Sequence, residues 1–334
     1  MCGRPRRVTA TDVAKATGVS RATVGFVLNN TPGQSITAAT RAKVLAAAER
    51  LGYTPYAPAR ALRSGRTSIV VMLLSQLPGG PVVNAVTEHL TALLAEDGLT
   101  LLVHMHPGRD EPVSALWGVV TPAAVIAFDR AWDEELAPLR RAGIPVVTPF
   151  VDPPDDLDGA VPVMMQRIGR LQVDHLVLAG HTRLGFALPD DPRLAPMAGD
   201  RLEGARFACA ELGLDLPQVA TVPLEVAAAA EAVAGWRAGP APVTAVCAYN
   251  DEVAIAVLSG AHRLGVAVPG ELAVIGVDDV PLAAAVSPPL TTIATHPATL
   301  SRYLYEALAA ALADGPVPHR PATEMLAVTV RGSV

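Results

Sequence analysis

Three cysteines in 334 residues (Cys2, Cys209 and Cys247) are odd in number and too far apart for a disulfide framework or a thiolate metal cluster. Cys209 and Cys247 read instead as buried small hydrophobes. No apolar run reaches membrane-spanning length, and the basic start CGRPRRVT leads into no apolar signal core. A soluble, cytoplasmic protein with no membrane partner is the expectation. Motifs of the common catalytic classes are missing too: there is no G-x-S-x-G, no P-loop and no G-x-G-x-x-G after the first strand. The eight histidines are scattered, and the one close pair, His104 and His106, lacks cysteine or carboxylate partners at metal spacing. No catalysis, metal or cofactor is expected. General disorder is excluded as well, because 51% of the residues are hydrophobic and 17% charged. Length alone suggests two or three domains.

Acidic residues are nearly absent from the first 66 positions. That stretch holds eleven Lys/Arg against Asp12 and Glu49, a net charge of +9, and leaves −15 on the remainder. A basic head on an acidic body is the electrostatic footprint of a polyanion partner. Spacing inside the head sharpens the reading. Val13, Ala14, Gly18, Val19, Val24 and Val27 stand where a helix-turn-helix needs small or apolar residues. Gly18 suits a left-handed turn between two helices. Thr9 can cap the first helix and Ser20 the second. With Val24 and Val27 facing inward, Arg21, Ala22, Gly25, Phe26 and Asn29 point outward. A third helix from Thr37 is expected to bury positions 44, 45, 48 and 51.

From Ser68 onward, apolar strands alternate with amphipathic helices, from SIVVMLL and VVNAVTEHLTALLAEDG through TAVCAYN, DEVAIAVLSGAHRLG and LAVIGV. That alternation predicts parallel sheets covered on both faces, with ligands bound beyond the carboxyl ends of strands.

VTATDVAKATGVSRATVGFVLNN and TRAKVLAAAERLGYTPYAPARALRSGRTSIV resemble the head and hinge of the LacI/GalR family of transcriptional repressors. GHTRLGFAL, RLEGARFA, PVTAVCAYNDEVAIAVL, LGVAVPGELAVIGVDDVPLAAAVSPPLTTIA and VRGSV extend the resemblance, in order, through the whole chain. It implies an all-α helix-turn-helix head (1–55), a hinge helix (56–67) and an α/β body (68–334). The body is expected as two parallel-sheet subdomains like those of periplasmic binding proteins. One spans about 68–180 plus 296–324, and the other about 181–295 plus 325–334.

The resemblance places the second helix in the major groove of double-stranded, pseudo-palindromic operator DNA. Arg21 and Ala22 take its leading base-reading positions, and Arg21 can pair with guanine O6 and N7. Where the family usually has Ser-Arg, this chain has Gly25-Phe26. The pair implies an altered operator preference or weakened binding, with Gly25 costing about 1 kcal/mol of helix propensity. Ser20, Thr23 and Asn29 are expected at phosphates, and Thr9, Tyr53 and Arg60 complete the DNA-contact set. Leu62 stands where the family wedges a leucine into the minor groove, with Pro58 near the start of its hinge helix. No leucine heptads accompany VRGSV, which favours a homodimer.

For the body, the resemblance points Arg201, Asn250 and Asp278 into a cleft that takes a small sugar-like effector. Arg167 falls where sugar-binding members carry Asp or Asn, and if it faces the cleft it favours an anionic sugar derivative. The loop SQLPGGPVVNAV lacks the aromatic pair that many members lay against a sugar, and aromatics make up only 4% of the chain. The function expected is that of a dimeric, effector-responsive DNA-binding repressor. The alternative is a solute-binding receptor with the same body and no role at DNA.

Overall fold

A computed structural model describes residues 8–28, 33–53, 67–74, 79–106, 112–128, 133–147, 164–313, 315–316, 318 and 325–334. The chain divides into two compact units, Met1–Thr67 and Ser68–Val334.

In the first unit, α1 (Ala10–Thr17), α2 (Arg21–Leu28) and α3 (Ala38–Leu51) pack around Val13, Ala14, Val24, Val27, Val44, Ala47 and Ala48. Short helices like α1 and α2 are marginal alone, so caps and packing must hold them. The Asp12 carboxylate accepts from the backbone N–H of Thr9 (2.9 Å) and from its hydroxyl (2.7 Å). Gly18 closes α1 at φ 71°, in the left-handed region where a Cβ is costly. Ser20 Oγ accepts from the Thr23 N–H at 3.0 Å and so caps α2. One expectation fails: Leu45 is 48% exposed and Ala47 is buried in its place. Positions 44, 47, 48 and 51 make the continuous helical stripe, and Leu45 lies a full 100° of rotation away from Val44.

The second unit holds two sheets. The first has strand order β2-β1-β3-β4 and is wholly parallel, from β1 (Ile69–Leu74), β2 (Thr100–Met105), β3 (Ala124–Ala127) and β4 (Val146–Val147). Along β1, Val70, Met72 and Leu74 face Val86, Leu90 and Leu94 of α4 (Pro81–Glu96). Val71 and Leu73 face the other way, onto Val113, Leu136 and Leu139 from α6 (Asp133–Arg141) and the region of the one-turn α5 (Ser114–Trp117). Period-two alternation buried on both faces is what a central parallel strand requires. β2 is the edge, and Val103 and Met105 on it stay exposed.

The second sheet runs β10-β9-β8-β7-β5-β6, from β5 (Leu184–Pro189), β6 (Gln218–Val222), β7 (Ala245–Ala248), β8 (Ala273–Asp278), β9 (Thr291–Ala294) and β10 (Ala327–Thr329). All its pairings are parallel except β9–β10, so an antiparallel edge closes an otherwise parallel sheet. The helices α9 (Val226–Arg237) and α10 (Asp251–Leu264) cover one face, and α7 (Met164–Leu178) and α8 (Ala195–Glu211) the other. After β9 the chain leaves this sheet. Its α11 (Pro297–Leu312) rests on α4, with Ser301 Oγ donating to Val86 O at 3.3 Å, before β10 returns.

The expected grouping of residues 164–180 with the first sheet is corrected. Fully buried Gln172 of α7 donates to Ala248 O at 2.8 Å, and α7 lies against α8. A Cβ on Gly169 would meet Arg201 O at 1.9 Å, and one on Gly204 would meet Gln166 O at 1.8 Å. Two backbones can approach this closely only where side chains are missing. Gly204→Ala is therefore expected to destabilise the protein by about 1–3 kcal/mol, as overpacking does. Gly199→Ala, on the same helix with nothing within 4 Å of its added Cβ, should be neutral or stabilising by up to about 1 kcal/mol. Denaturant unfolding of both variants checks the contrast.

Candidate functional site

On the head, α2 presents Arg21 and Ala22 exposed, Gly25 half-buried, and Phe26 at 36% exposure. Ala22 and Phe26 stand one turn apart and share a face, as do Arg21 and Gly25. Ser20 is exposed, and its oxygen is shared between the Thr23 N–H and the Thr23 hydroxyl (2.9 Å). Both residues thus hold the start of α2 before any contact with a phosphate. The Thr9 hydroxyl is likewise engaged, by Asp12. Tyr53 is half-buried against the head core, and its N–H donates to Ala48 O at 2.8 Å. Asn29, Pro58, Arg60 and Leu62 lie outside the described residues.

In the second unit, a cavity of about 170 Å³ opens beyond the carboxyl ends of β7 and β8. Arg201, Asn250 and Asp278 all line it. Arg201 is 4% exposed. Its Nη1 donates to Tyr249 O, its Nε points at Met165 Sδ (3.4 Å), and its Cζ lies 4.4 Å from the Tyr249 ring centroid. The guanidinium is thereby fixed with donors to spare. Asn250 caps α10 through Oδ1, which accepts from the Val253 N–H at 3.0 Å, and its amide NH₂ remains available. Burial pushes the Asp278 carboxyl above its ordinary range; Arg201 opposes that shift and Glu252 adds to it.

Arg167 is corrected. It is half-buried on α7 and does not line the cavity. Met164 and Met165 from the first turn of α7 do, and Arg167 sits two positions past Met165, roughly 200° around the helix. Without Arg167, a single guanidinium lines the described cavity beside the carboxylates of Asp278 and Glu252. Other lining residues escaped the sequence reading: Tyr249 precedes Asn250 at the same strand end, Phe128 follows β3, and Thr295 follows β9. Each lies just past a strand, a position that could have flagged them. Trp236 is buried elsewhere, with Nε1 donating to Gln218 O at 2.9 Å.

Asp251, the first residue of α10, is neither the cap of that helix nor a surface charge. It is fully buried, with Oδ1 accepting from Thr292 Oγ1 at 2.6 Å and Oδ2 from the Val280 N–H at 2.9 Å. A Cβ on Gly276 would lie 2.1 Å from Asp251 Oδ1, so the glycine of I-G-V-D-D makes room for this carboxylate. The loop it grips contains Asp278 at φ 108° and Asp279 at φ 54°. Such conformations cost about 1–3 kcal/mol each and persist only where the surroundings impose them. Asp279 is held by Arg331 Nη2 at 2.6 Å. Asp251 thus shapes the loop that presents Asp278.

Residues 9–56 match the family described as bacterial regulatory proteins, lacI family, and residues 173–334 match the periplasmic binding protein-like domain. The chain is 32% identical to the HTH-type transcriptional regulator MalR of Streptomyces coelicolor, over 96% of this chain and 95% of that one. The chain belongs to the LacI family of bacterial transcriptional regulators. Its identity to the transcriptional regulator GalR of Escherichia coli is 30%, over 93% of this chain and 91% of GalR. A crystal structure of the lac repressor dimer bound to operator and the anti-inducer ONPF shares the fold. There the TM-score is 0.76 at 20% identity, over 98% of this chain and 99% of that one. The family consists of transcriptional regulators rather than enzymes. As a LacI-type regulator, the protein is a DNA-binding repressor with an effector-binding domain, and regulators of this family bind operator DNA and small-molecule effectors and form dimers. Among the described residues, no helix is long and apolar enough to cross a membrane. The same residues hold no cluster of three metal-ligating side chains.

Burial pushes the Asp251 carboxyl up to about 7; hydrogen bonds from Thr292 and Val280 oppose this, and the charges of Asp278 and Asp279 add to it. The folded state then holds a proton that the unfolded chain releases between its ordinary value of 3.8 and about 7. This contribution therefore stabilises the fold more as pH falls through that window and is absent above it. Relative to Asp251→Asn, the native protein should gain unfolding free energy as pH drops from 7 to about 4. Denaturant melts of both proteins at several pH values measure it, and a flat difference would contradict the assignment.

Proposed function

We propose that the protein is a cytoplasmic, dimeric repressor whose operator affinity is set by an effector bound through Arg201, Asn250 and Asp278. The observation that carries the reading is the convergence of these three side chains on one cavity, in a chain whose head presents Arg21, Ala22 and Phe26 on a capped second helix. Arg21 reads guanine, Ala22 offers a methyl, and Phe26 places an apolar ring where relatives carry arginine. Ser20, Thr23, Thr9, Tyr53, Asn29 and Arg60 set position on the backbone, and Leu62 wedges the central step. The exposed Val103 and Met105 on the edge strand β2 support a second copy as partner. Two heads then match two half-sites of a pseudo-palindrome.

The effector acts by binding one cleft geometry better than another, and it shifts DNA affinity only by that difference. Arg167 is not among the described residues that line the cavity, so an anionic effector has no second guanidinium there to pair with. A solute receptor with no role at DNA would share the body but would have no use for the basic head. Footprinting of the full-length protein on its own genome, with mass measurement in solution, tests the whole reading. The absence of a protected palindrome, or a strictly monomeric protein, would overturn it.

Arg21→Ala should weaken specific operator binding by about 1–3 kcal/mol and relax preference at one base pair per half-site. An unchanged ranking of half-site variants would remove its base-reading role. Phe26→Arg should move preference towards the operators of relatives with arginine there, as read by selection over randomised sites. Asp278→Asn should leave operator affinity intact while abolishing the effector's influence on it, which fluorescence anisotropy on labelled operator measures.

A further inference from the structure

The outward face of α2 is bounded by two long side chains of opposite character. At 3.6 residues per turn, Arg21 and Phe26 border an outward arc of roughly 140°, and only Gly25 and Ala22 stand between them. Val24 and Val27 lie on the other side of the helix, in the head core. Two small residues in the middle of the arc let the helix backbone come close to whatever lies against it. The guanidinium then reaches out at one border and the phenyl ring at the other.

Phe26 is 36% exposed and is not among the residues that form the head core. Long side chains on a helix lean back over the preceding turn. For Phe26 that turn carries Ala22, whose methyl is exposed as well. Ring and methyl together make one apolar patch, on a head whose residues 1–66 carry a net charge of +9. That charge complements a polyanion, so duplex DNA is the occupant that electrostatics brings to this face.

A phenyl ring has no donor and no acceptor. Laid on the edge of guanine, adenine or cytosine, it would cover polar atoms without pairing them, and laid on a phosphate it would strip water from an anion. The major groove offers one apolar group, the C5 methyl of thymine. Resting on the reading of α2 as the recognition helix, we infer that Phe26, seated beside Ala22, is the specificity-determining residue for a 5-methylpyrimidine in each half-site. It reads the methyl group itself and no hydrogen-bonding edge. Arg21, at the other border of the arc, pairs with a guanine of the same half-site. Removal of apolar area from water therefore chooses one base pair, and a charged bidentate contact chooses the other.

The test starts from a selection over randomised duplexes with the full-length protein, which gives the half-site. Each thymine of that half-site is then replaced by uracil, a change that removes the methyl and keeps every hydrogen-bonding group. One such replacement should weaken binding about fourfold, the worth of one methyl buried from water, as read by fluorescence anisotropy. In Phe26→Ala the same replacement should change affinity by less than about 1.5-fold, whereas Phe26→Leu should keep a loss of about twofold or more. At that position 5-methylcytosine should bind more tightly than cytosine by a similar factor, which separates the methyl from the groove shape of A·T pairs. Both variants should melt with the native protein, because Phe26 lies outside the head core. A half-site in which no uracil replacement matters overturns the inference. So does a methyl effect of the same size in Phe26→Ala, or equal binding of cytosine and 5-methylcytosine. The recognition-helix reading fails separately, if the selection enriches no sequence at all.

Discussion

The backbones of α7 and α8 meet at Gly169 and Gly204, where no side chain stands between them, and the polar half of the cavity depends on that contact. Arg201 lies one turn before Gly204 on α8, so the crossing that brings the helices together also fixes where the guanidinium emerges. The same crossing sets the first turn of α7, whose Met164 and Met165 reach the cavity. Gln172, further along α7, ties it to the carbonyl of Ala248 at the end of β7, one residue before the Tyr249 carbonyl that receives Arg201. Helix crossing, strand end and guanidinium are therefore one arrangement. The spacing R-x-x-G follows from it: the arginine faces the ligand, and the glycine lets the next helix approach.

A second carboxylate completes the site from beneath. Asp251 touches no ligand-lining surface; it bridges Thr292, Val280 and the bare face of Gly276. Two consecutive aspartates at the end of β8 sit in backbone conformations that their Cβ atoms disfavour. The strain is offset by the Asp251 contacts and by the Asp279–Arg331 pair, and the result is that Asp278 is aimed at the cavity. Sensitivity to protonation comes with the arrangement, because the buried Asp251 lies against a segment that carries two further carboxylates.

The head is organised on another principle. Its helices are short, its core is small residues and valines, and its caps use Asp12, Ser20, Thr37 and two left-handed glycines. Among its described residues, no residue other than glycine has a positive φ. What it contributes is a charge opposite to the body's and a recognition helix whose outward face is half apolar, with Ala22 and Phe26 beside Arg21. Electrostatics supplies attraction to any duplex, and those few side chains supply the preference.

The sequence by itself determined the features that repeat or punctuate. Valine and alanine spacing with Gly18 marked the helix-turn-helix, and apolar runs between amphipathic stretches marked parallel sheets. Residues just past strand ends pointed to Arg201, Asn250 and Asp278, with a family resemblance to choose among them. Local patterns carry such information because hydrophobic period and turn chemistry are local. Tertiary structure decided what depends on orientation between distant elements. Arg167 and Met165 are two residues apart, and only the rotation of α7 against α8 turns one to the cavity and the other away. On α3 the helical period alone puts Ala47 on the buried stripe and leaves Leu45 exposed. Asp251 stands at the start of a helix, and its burial appears only when β8, β9 and the loop between them close over it. Thr295 and Phe128 follow strands of different sheets, so their meeting in one cavity is set by packing and not by any run of neighbouring residues.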